Sequence, residues 1–462
     1  MTDLDLLAKD ATAQADLVAT GAVSARMLID ETLRRIEQVD GTLNAFRVVL
    51  ADHARAEADR IDALPRRDRR VMPLLGVPVA IKDDTDVAGQ VTAWGSSAHR
   101  EVAPADAEVV ARLRAAGAII VGKTNVPELT LWPWTSSEHW GVTRNPWNPD
   151  RTPGGSSGGS AVAVATGMCS MALGSDGGGS VRYPAGLTGL VGVKPQRGRV
   201  PVGPEHASAW YGLLALGPLT RSVRDAAVFL DVVSDGLPPD GYRAALQQRP
   251  RRLRIGVSTR PPPGTRVRLS PGSRDAVETT AALLSGLGHD IVEVDIDYGL
   301  ASLWNSTVRL LKGVQHDVTT ISNPAELERR TRRVARIGGL LPNRSLAKAL
   351  HRESAIAASI NAVFESADVV LTPLCAQPAP PVEPCSSGAL RSLRASNTSA
   401  WLVPWNVIGQ PAVAVPAGLS SDGLPAGVQL AGRANEESIL LQLAAEIESI
   451  RPFPAWMPPL GE

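Results

Sequence analysis

Short, continuous apolar runs recur along the chain and constrain its fold more than any other feature. Because these runs do not alternate with polar residues, each is typical of a strand that is buried on both faces. Two of them follow a helical pattern that ends at a glycine. The sequence therefore predicts an α/β fold, in which a large, twisted, mixed β-sheet is covered by helices on both faces. The runs lie at 77–81, 118–121, 170–174, 253–257, 291–294, 368–372, 412–415 and 427–430.

Four amphipathic segments predict helices around this sheet. Each has a capping residue at its start or a glycine at its end, which is how helices commonly begin and stop. The expected helices are 24–40 with Ser24 as N-cap and Gly41 as stop, 105–116 with Gly117, 273–287 with Gly288, and a last helix with Asn435 as N-cap.

The charge balance excludes one broad class of function. The chain has 462 residues, and its 47 Lys and Arg residues equal its 47 Asp and Glu residues, so the formal net charge is zero. A protein that binds nucleic acid would carry a basic excess. We therefore expect no nucleic-acid partner, and we interpret the basic clusters at 249–254 and 329–336 as solvated surface.

No long linker interrupts the chain, which predicts one domain over residues 1–462. The first residues lack a basic segment followed by an apolar stretch, and no apolar tract reaches the ~20 residues that span a bilayer. The cysteines, Cys169, Cys375 and Cys385, show no metal-ligand spacing and are expected to be buried in the core. Their odd number suits a reducing compartment, so the expected location is cytoplasmic.

Residues 154–198 are rich in glycine, with 13 glycines in 45 residues against 42 in the whole chain. The backbone there is suited to unusual geometry. An apolar stretch at 161–174 must be buried, which distinguishes the segment from a flexible linker. Glycine turns that carry serine flank this stretch at 154–159 and 177–180. In the second turn, three glycines ahead of Ser180 allow consecutive N–H groups to converge on an anion.

Such a turn could stabilise the oxyanion that forms when a serine attacks a carbonyl group, with roughly 3 kcal/mol from each well-placed donor. Ser180 would need a base, and the seven histidines lie outside any motif. Lys82 ends the apolar run at 77–81 and is one of only six lysines. Burial lowers the pKa of a lysine toward the range in which the neutral amine accepts a proton. Lys82 is therefore the candidate base.

These segments carry a resemblance to the amidase signature family. The match is ordered along the chain from about residue 24 to residue 450, with the signature core at about 73–200, and this order is more specific than any one segment. The matching segments are PLLGVPVAIKDD (73–84), GKTNVPEL (122–129), NPWNPDRTPGGSSGGSAVAVATG (145–167), ALGSDGGGSVRYPA (172–185), GVKPQRGRV (192–200) and GLPAGVQLAGR (423–433).

The resemblance implies the amidase signature fold and a Ser-Ser-Lys triad. Ser180 is then the nucleophile, Ser156 the bridging serine that follows a cis peptide bond, and Lys82 the base. Asp176 and Arg182 match positions that brace the loop. The implied oxyanion donors are the N–H groups of Gly177, Gly178, Gly179 and Ser180.

The sequence departs from the family pattern at two places. Gly177 stands where the family usually has threonine or another side chain, and Gln196-Arg197 replaces the usual threonine after Lys-Pro. The first departure could loosen the oxyanion loop. Neither removes a member of the triad.

Residues 117–124, GAIIVGKT, match the phosphate-loop pattern, which makes an NTPase the alternative from another functional class. The context argues against it, because a helix precedes Gly117 and the following residues form a buried strand. Residues 154–158 match the nucleophile-elbow pattern, but no apolar strand leads into them. Ser345 and Lys348 match S-x-x-K within an arginine-rich stretch that we interpret as surface.

A closer alternative is the glutamine-hydrolysing A subunit of a tRNA-dependent amidotransferase, which shares these motifs and functions only in a complex. Tyr183 follows the Ser-x-Arg motif where that subfamily tends to have glutamine. The tryptophan-rich region described next is also too apolar for a glutamine site. We therefore favour an independent amidase, for which the resemblance makes a homodimer plausible.

The expected reaction is hydrolysis of a small-molecule carboxylic amide to an acid and ammonia or an amine through an acyl-enzyme, with esters as further substrates. No metal or organic cofactor is expected, because the base is a side chain. Four tryptophans lie within 132–147, where such enzymes tend to build the acyl pocket. We assign Trp132, Trp134 and Trp140 to this pocket and expect an apolar or aromatic acyl group, although tryptophans also commonly fill cores. Further candidates for the pocket are Trp210, Trp304, Trp401 and Trp405.

Overall fold

The computed structural model describes residues 3–69, 71–265, 267–382 and 399–453. These residues form a single large domain around one β-sheet with helices on both faces, which confirms the predicted α/β fold. Cys169 and Cys375 are buried free thiols, as expected, whereas Cys385 lies outside the described residues.

The strands follow the predicted runs closely. All eight runs are strands, with ends shifted by a few residues. The sequence pattern does not predict five further strands, β1, β4, β5, β7 and β8, which are short or interrupted by glycine and proline. The strands are β1 Phe46–Val49, β2 Pro78–Lys82, β3 Ile119–Thr124, β4 Ser136–Ser137, β5 Gly141–Val142, β6 Met171–Asp176, β7 Val191–Lys194, β8 Ala215–Thr220, β9 Arg254–Val257, β10 Asp290–Glu293, β11 Val369–Pro373, β12 Ala412–Leu419 and β13 Pro425–Ala431.

Eleven of the strands in the described residues form the large sheet, in the order β1-β3-β2-β6-β8-β7-β12-β13-β11-β9-β10. Strand β2 runs parallel to β3 and β6, and β9 runs parallel to β10 and β11. The other pairs are antiparallel, so the sheet is mixed, as predicted. Strands β4 and β5 form a separate small pair.

The helices surround the sheet. They are α1 Asp3–Ala8, α2 Ala11–Thr20, α3 Ala25–Leu43, α4 Ala51–Asp62, α5 Arg66–Arg69, α6 Glu108–Ala115, α7 Gly158–Ala165, α8 Arg182–Thr188, α9 Val223–Val233, α10 Gly241–Ala245, α11 Pro271–Gly286, α12 Gly299–Asp317, α13 Arg329–Leu340, α14 Asn343–His351, α15 Glu353–Asn361, α16 Val403–Val407 and α17 Glu437–Ile450. Within the described ranges, no helix is both long and apolar enough to cross a bilayer.

The core lies in two layers, one on each face of the sheet. Along β2, Val79 and Ile81 pack into the layer that α6, α9, α11 and α17 cover. Ala80, between them, faces the layer of α3, α7 and α8. Successive strand residues point to opposite faces, so a strand in the middle of such a sheet must be apolar at every position. This is why the runs are continuous.

Two predicted helix boundaries are wrong. Ser24 caps α3 as predicted, but the helix continues through Gly41 to Leu43, because Asn44 provides the left-handed residue at φ 53°. Asn435 does not cap α17, since its own φ of 65° is left-handed rather than the extended geometry of an N-cap. The glycines at 117 and 288 do adopt positive φ just after their helices, as predicted.

The phosphate-loop match at 117–124 forms no loop. Its last six residues are strand β3, and Lys123 is fully buried. Lys123 Nζ lies 3.1 Å from Asp83 Oδ1 and donates to Thr92 Oγ1 at 2.7 Å. The lysine is therefore held by an internal carboxylate, and the backbone is paired within the sheet, so the segment cannot enclose a phosphate.

Candidate active site

Lys82 and Ser175 meet because they lie at the carboxyl ends of two adjacent parallel strands. Strand β2 ends at Lys82, and β6 pairs with it so that Ile81 lies beside Leu173, two residues before Ser175. The Lys82 side chain is fully buried. Its Nζ lies 2.7 Å from Ser175 Oγ and 3.3 Å from the Ser175 carbonyl oxygen.

Ser156 reaches the same lysine from the first glycine turn. Ser156 Oγ lies 2.7 Å from Lys82 Nζ, and both side chains are buried. The Gly155–Ser156 peptide bond is cis, in agreement with the resemblance. A side chain does not fit at position 155, because its Cβ would lie 2.7 Å from the carbonyl carbon of Trp134. Two residues that the sequence placed in the site are thus in direct contact.

Two opposing effects act on the pKa of Lys82. Burial lowers the pKa of Lys82, because the ammonium loses its hydration, whereas the Asp84 carboxylate 3.3 Å away acts to raise it. Ser175 connects the two groups, since its Oγ donates to Asp84 Oδ2 at 2.5 Å. Burial acts to raise the pKa of Asp84, but the Lys82 charge and the Ser175 hydroxyl hold it below its ordinary value.

The glycine loop at 177–180 connects β6 to α8. Asp176 Oδ1 accepts the N–H of Gly179 at 2.7 Å, so this N–H is not free to bind an oxyanion, and the expectation for Gly179 is corrected. Within the described part of the chain, the N–H groups of Gly177, Gly178 and Ser180 have no acceptor. The loop thus offers three free donors, with the fourth used to fix its shape.

Asp176 and Arg182 form a fully buried ion pair at the base of this loop. The Arg182 guanidinium donates to both Asp176 carboxylate oxygens at 2.9 Å, to Gln429 Oε1 at 2.5 Å and to Asn406 Oδ1 at 2.7 Å. Asn406 also donates to the Asp176 carbonyl oxygen at 2.8 Å. Burial acts to raise the pKa of Asp176, but Arg182 holds it well below its ordinary value.

A cavity of about 230 Å³ opens over the glycine loop. Gly155, Gly177 and Ser180 all line it. None of the described residues that line it carries a charged side chain, and most of its wall is apolar. The large apolar side chains of the wall are Leu131, Trp132, Tyr183, Trp210, Leu213, Leu303, Leu310 and Val403.

The three tryptophans assigned to the pocket lie in different surroundings. Trp132 lines the cavity. Trp134 is buried behind it, with the two rings nearly parallel and their centroids 5.7 Å apart. Trp140 packs against His139 instead, and the Arg47 guanidinium lies over its ring. The structure therefore brings Trp132 to the cavity, but not Trp134 or Trp140.

Arg330 is a residue of this region that the sequence interpretation missed. It lies in the basic cluster at 329–336, yet it is buried, with its guanidinium 5.1 Å from the Trp132 ring centroid and 5.9 Å from that of Trp134. The interpretation of the cluster as solvated is wrong for this residue. A helical signal was present, because Arg330, Val334 and Gly338 lie four residues apart and share the buried face of α13.

Two further residues of the site, Asp84 and Ser175, stand beside predicted residues in the sequence. Asp84 follows Lys82 by two positions and Ser175 precedes Asp176, but nothing in their spacing predicts that both contact the lysine. Trp210, a further candidate for the acyl pocket, lines the cavity, whereas Asn406 lies outside every matched segment. Among the described residues, no group of three or more His, Cys, Asp or Glu side chains is arranged to hold a metal ion.

The fold, the buried contact between Lys82 and Ser156 and the glycine loop define a class of enzyme. A family model described as Amidase matches residues 27–441. The chain therefore belongs to the amidase family, and the resemblance found in the sequence is confirmed. It is an enzyme that hydrolyses amide bonds.

Individual relatives agree with this assignment. A Mycobacterium tuberculosis protein named as an amidase, AmiB2, is 47% identical over 465 residues, which cover 98% of each chain. A structure of 6-aminohexanoate cyclic dimer hydrolase with substrate superposes with a TM-score of 0.88 at 32% identity, covering 98% of both chains. A bacterial aryl acylamidase of the amidase signature family has a TM-score of 0.87 at 25% identity, and 98% of each chain is covered.

Proposed function

We propose that the enzyme hydrolyses amides of uncharged, apolar or aromatic acids through an acyl-enzyme on Ser180. As Ser180 Oγ attacks the carbonyl carbon, its proton passes to Ser156 Oγ and the Ser156 proton passes to neutral Lys82 Nζ. The C–N bond then breaks, and the leaving amine takes a proton back through Ser156. Water attacks the acyl-enzyme by the same relay, which releases the acid and restores Ser180.

The observation that carries this proposal is the buried contact of Lys82 Nζ with Ser156 Oγ at 2.7 Å. A neutral lysine has two N–H groups and one lone pair. The Ser175 hydroxyl and carbonyl oxygens accept the two N–H groups, which leaves the lone pair for the Ser156 hydroxyl. The lowered pKa of Lys82 favours this neutral form.

The free N–H groups of the glycine loop support an oxyanion site. Those of Gly177, Gly178 and Ser180 belong to the loop that carries the nucleophile, and all three residues line the cavity. Donors that are fixed before the reaction stabilise the developing charge without reorganising. We assign Asp176 and Arg182 to holding the loop, because Asp176 accepts the Gly179 N–H and Arg182 neutralises the buried carboxylate.

The uncharged lining of the cavity supports the substrate class. A glutamine would bring an ammonium and a carboxylate, and buried charges require partners that this lining does not provide. The walls formed by Trp132 and Tyr183 favour an apolar or aromatic acyl group. Two structural relatives, a 6-aminohexanoate cyclic dimer hydrolase and an aryl acylamidase, are in keeping with this substrate class. An independent amidase is therefore favoured over a glutamine-hydrolysing subunit.

A fluorophosphonate probe tests the nucleophile and its base. We expect the wild type to be labelled at one serine, and Ser180→Ala to abolish both labelling and amidase activity. Lys82→Met should lower kcat/KM by about 10⁴-fold or more, and adding Ser180→Ala should lower it little further, because the groups act as a unit. Lys194→Met, which removes another buried lysine, is the matched control and should keep the labelling.

Labelling of Ser180→Ala would reject Ser180 as the nucleophile. Faster turnover of acetamide or glutamine than of benzamide would reject the proposed acyl preference. The absence of a cofactor, the homodimer and the cytoplasmic location stay predictions, which activity after EDTA treatment, sedimentation and cell fractionation test.

A further inference from the structure

Trp210 lies against the glycine loop in a position that two glycines make possible. A Cβ atom at Gly177 would lie 2.6 Å from Trp210 Cε3, and a Cβ atom at Gly313 would lie 2.7 Å from Trp210 Cδ1. Real Cβ atoms do not approach other atoms this closely. The indole therefore fills the space that side chains at 177 and 313 would otherwise take.

The backbone at position 177 does not itself require glycine. Gly179 has a left-handed φ of 119°, but Gly177 does not adopt a positive φ, so alanine can take its conformation. The obstacle to a side chain at 177 is the Trp210 ring. At the neighbouring Gly178, a Cβ would make an ordinary contact of 3.6 Å with Val403 Cγ2.

Two hydrogen bonds and a constrained backbone conformation hold Trp210 in place. Its backbone N–H donates to Ser208 Oγ at 3.0 Å, and its indole Nε1–H donates to Asp317 Oδ2 at 3.0 Å. The residue has a left-handed φ of 44°, a conformation that a bulky residue keeps only where its surroundings hold it. Only 9% of its surface is exposed, and it lines the cavity. The ring is thus a rigid wall beside the loop that carries Ser180.

We infer that the pair formed by Trp210 and Gly177 determines which acyl groups the enzyme accepts, an inference that rests on the proposed function. A carbonyl carbon attached to Ser180 lies beside the glycine loop, so the substituents of the acyl α-carbon meet the indole. A planar α-carbon, as in an aromatic carboxamide, can pack against this ring. A tetrahedral α-carbon with several substituents projects into it. The substrate class is therefore amides of flat aromatic acids.

The first experiment measures the ratio of kcat/KM for benzamide to that for trimethylacetamide. Trp210→Ala opens the wall, and we expect this ratio to fall by about tenfold or more, the scale of a pocket that gains a few methyl groups of space. Trp210→Phe keeps a ring in place but loses the bond to Asp317, and should retain most of the preference. An unchanged ratio in Trp210→Ala would overturn the inference.

The second experiment measures the coupling between the two positions. Gly177→Ala alone should lower kcat/KM for benzamide by about tenfold, because the new Cβ displaces the indole, but it should change the Trp210→Ala variant by less than about threefold. Gly178→Ala adds the same methyl group without meeting the ring, so its effect should be equal in both backgrounds. Equal effects of Gly177→Ala in both backgrounds would contradict the pairing.

Fluorophosphonate labelling of every variant separates the two proposals. A variant that is labelled at the wild-type rate has a folded active site, so its substrate ratio reports on the pocket. If the wild type were not labelled at Ser180, the proposed function would fail instead. If Trp210→Ala does not fold, Trp210→Leu supplies the same ratio and the same coupling test.

Discussion

Replacing Arg182 with methionine would test how the oxyanion loop is held. The Arg182 guanidinium is fully buried and donates to Asp176, Gln429, Asn406 and the Leu402 carbonyl oxygen. Methionine keeps much of the volume but removes every donor and the positive charge. The Asp176 carboxylate would then remain buried without its counter-ion.

The expected loss of stability is large. Removing one partner of a buried ion pair typically costs 3–5 kcal/mol, because the other charge is left uncompensated. Asp176 would keep the N–H groups of Gly179, Val181 and residue 182, so we expect about 3 kcal/mol, the lower end of this range. The loop would also lose its links to the Leu402 carbonyl oxygen and to Gln429, and kcat should fall with stability.

The stability of the variant should change with pH in the opposite direction to that of the wild type. In the wild type, the pKa of Asp176 is lowered, so its contribution to stability is present above the unfolded-state pKa and is lost as pH falls. Without Arg182, burial dominates and raises the pKa of Asp176 above the unfolded-state value. The carboxyl group then stabilises the fold only while protonated, and this contribution is lost as pH rises. Arg182→Met should therefore be more destabilising at pH 8 than at pH 5.

Urea denaturation at these two pH values measures the effect. Adding Asp176→Asn to Arg182→Met removes the stranded charge and should recover part of the lost stability at pH 8. Arg252→Met is the control, because Arg252 pairs with Asp290 on the surface and exposed pairs contribute about 1 kcal/mol or less. A loss below about 1 kcal/mol that does not depend on pH would refute the argument.

Two further changes test the buried carboxyl groups. Asp84→Asn removes the charge that raises the pKa of Lys82, so the acidic limb of the kcat/KM profile should move to lower pH; a limb that stays in place would exclude Lys82 as the base. Burial and Glu328 raise the pKa of Glu128 to about 7, so its neutral form contributes stability that is lost as pH rises through 7. Glu128→Gln should therefore raise Tm relative to the wild type at pH 8 but not at pH 5, as scanning fluorimetry would detect.

The sequence predicts the elements whose form one local property decides. Central strands must be apolar at every position because both faces are covered, so all eight runs were recognisable. Strand β8, Ala215–Thr220, was not recognisable, because it contains Gly217 and Pro218. It nevertheless pairs with β6 over its full length. Gly41 looks like a helix stop by residue type, but Asn44 adopts the left-handed conformation instead, so α3 continues to Leu43.

The sequence likewise predicts one part of the candidate site better than another. The contact between Lys82 and Ser156 follows from two motifs whose geometry the family resemblance implies. The tryptophans nominate Trp132 and Trp210 for the cavity wall, but the position of Trp210 depends on distant neighbours such as Gly313, 103 positions away in the sequence. Trp134 and Trp140 lie in the same short segment as Trp132, yet one is buried behind it and the other faces Arg47. Proximity in sequence does not decide which side a loop presents to a cavity.

The lysines show why the base is identified by geometry rather than by pKa alone. Lys82, Lys123 and Lys194 are all buried, and burial lowers the pKa of each, that of Lys194 to about 7. Among the residues that the structure describes, Lys194 Nζ donates only to the Pro195 carbonyl oxygen. Lys123 pairs with a carboxylate, so neither lysine contacts a hydroxyl of the glycine turns. Among the lysines, only Lys82 combines the lowered pKa with contact to Ser156. A lowered pKa makes a lysine able to accept a proton, but the hydroxyl it touches determines which proton it can take.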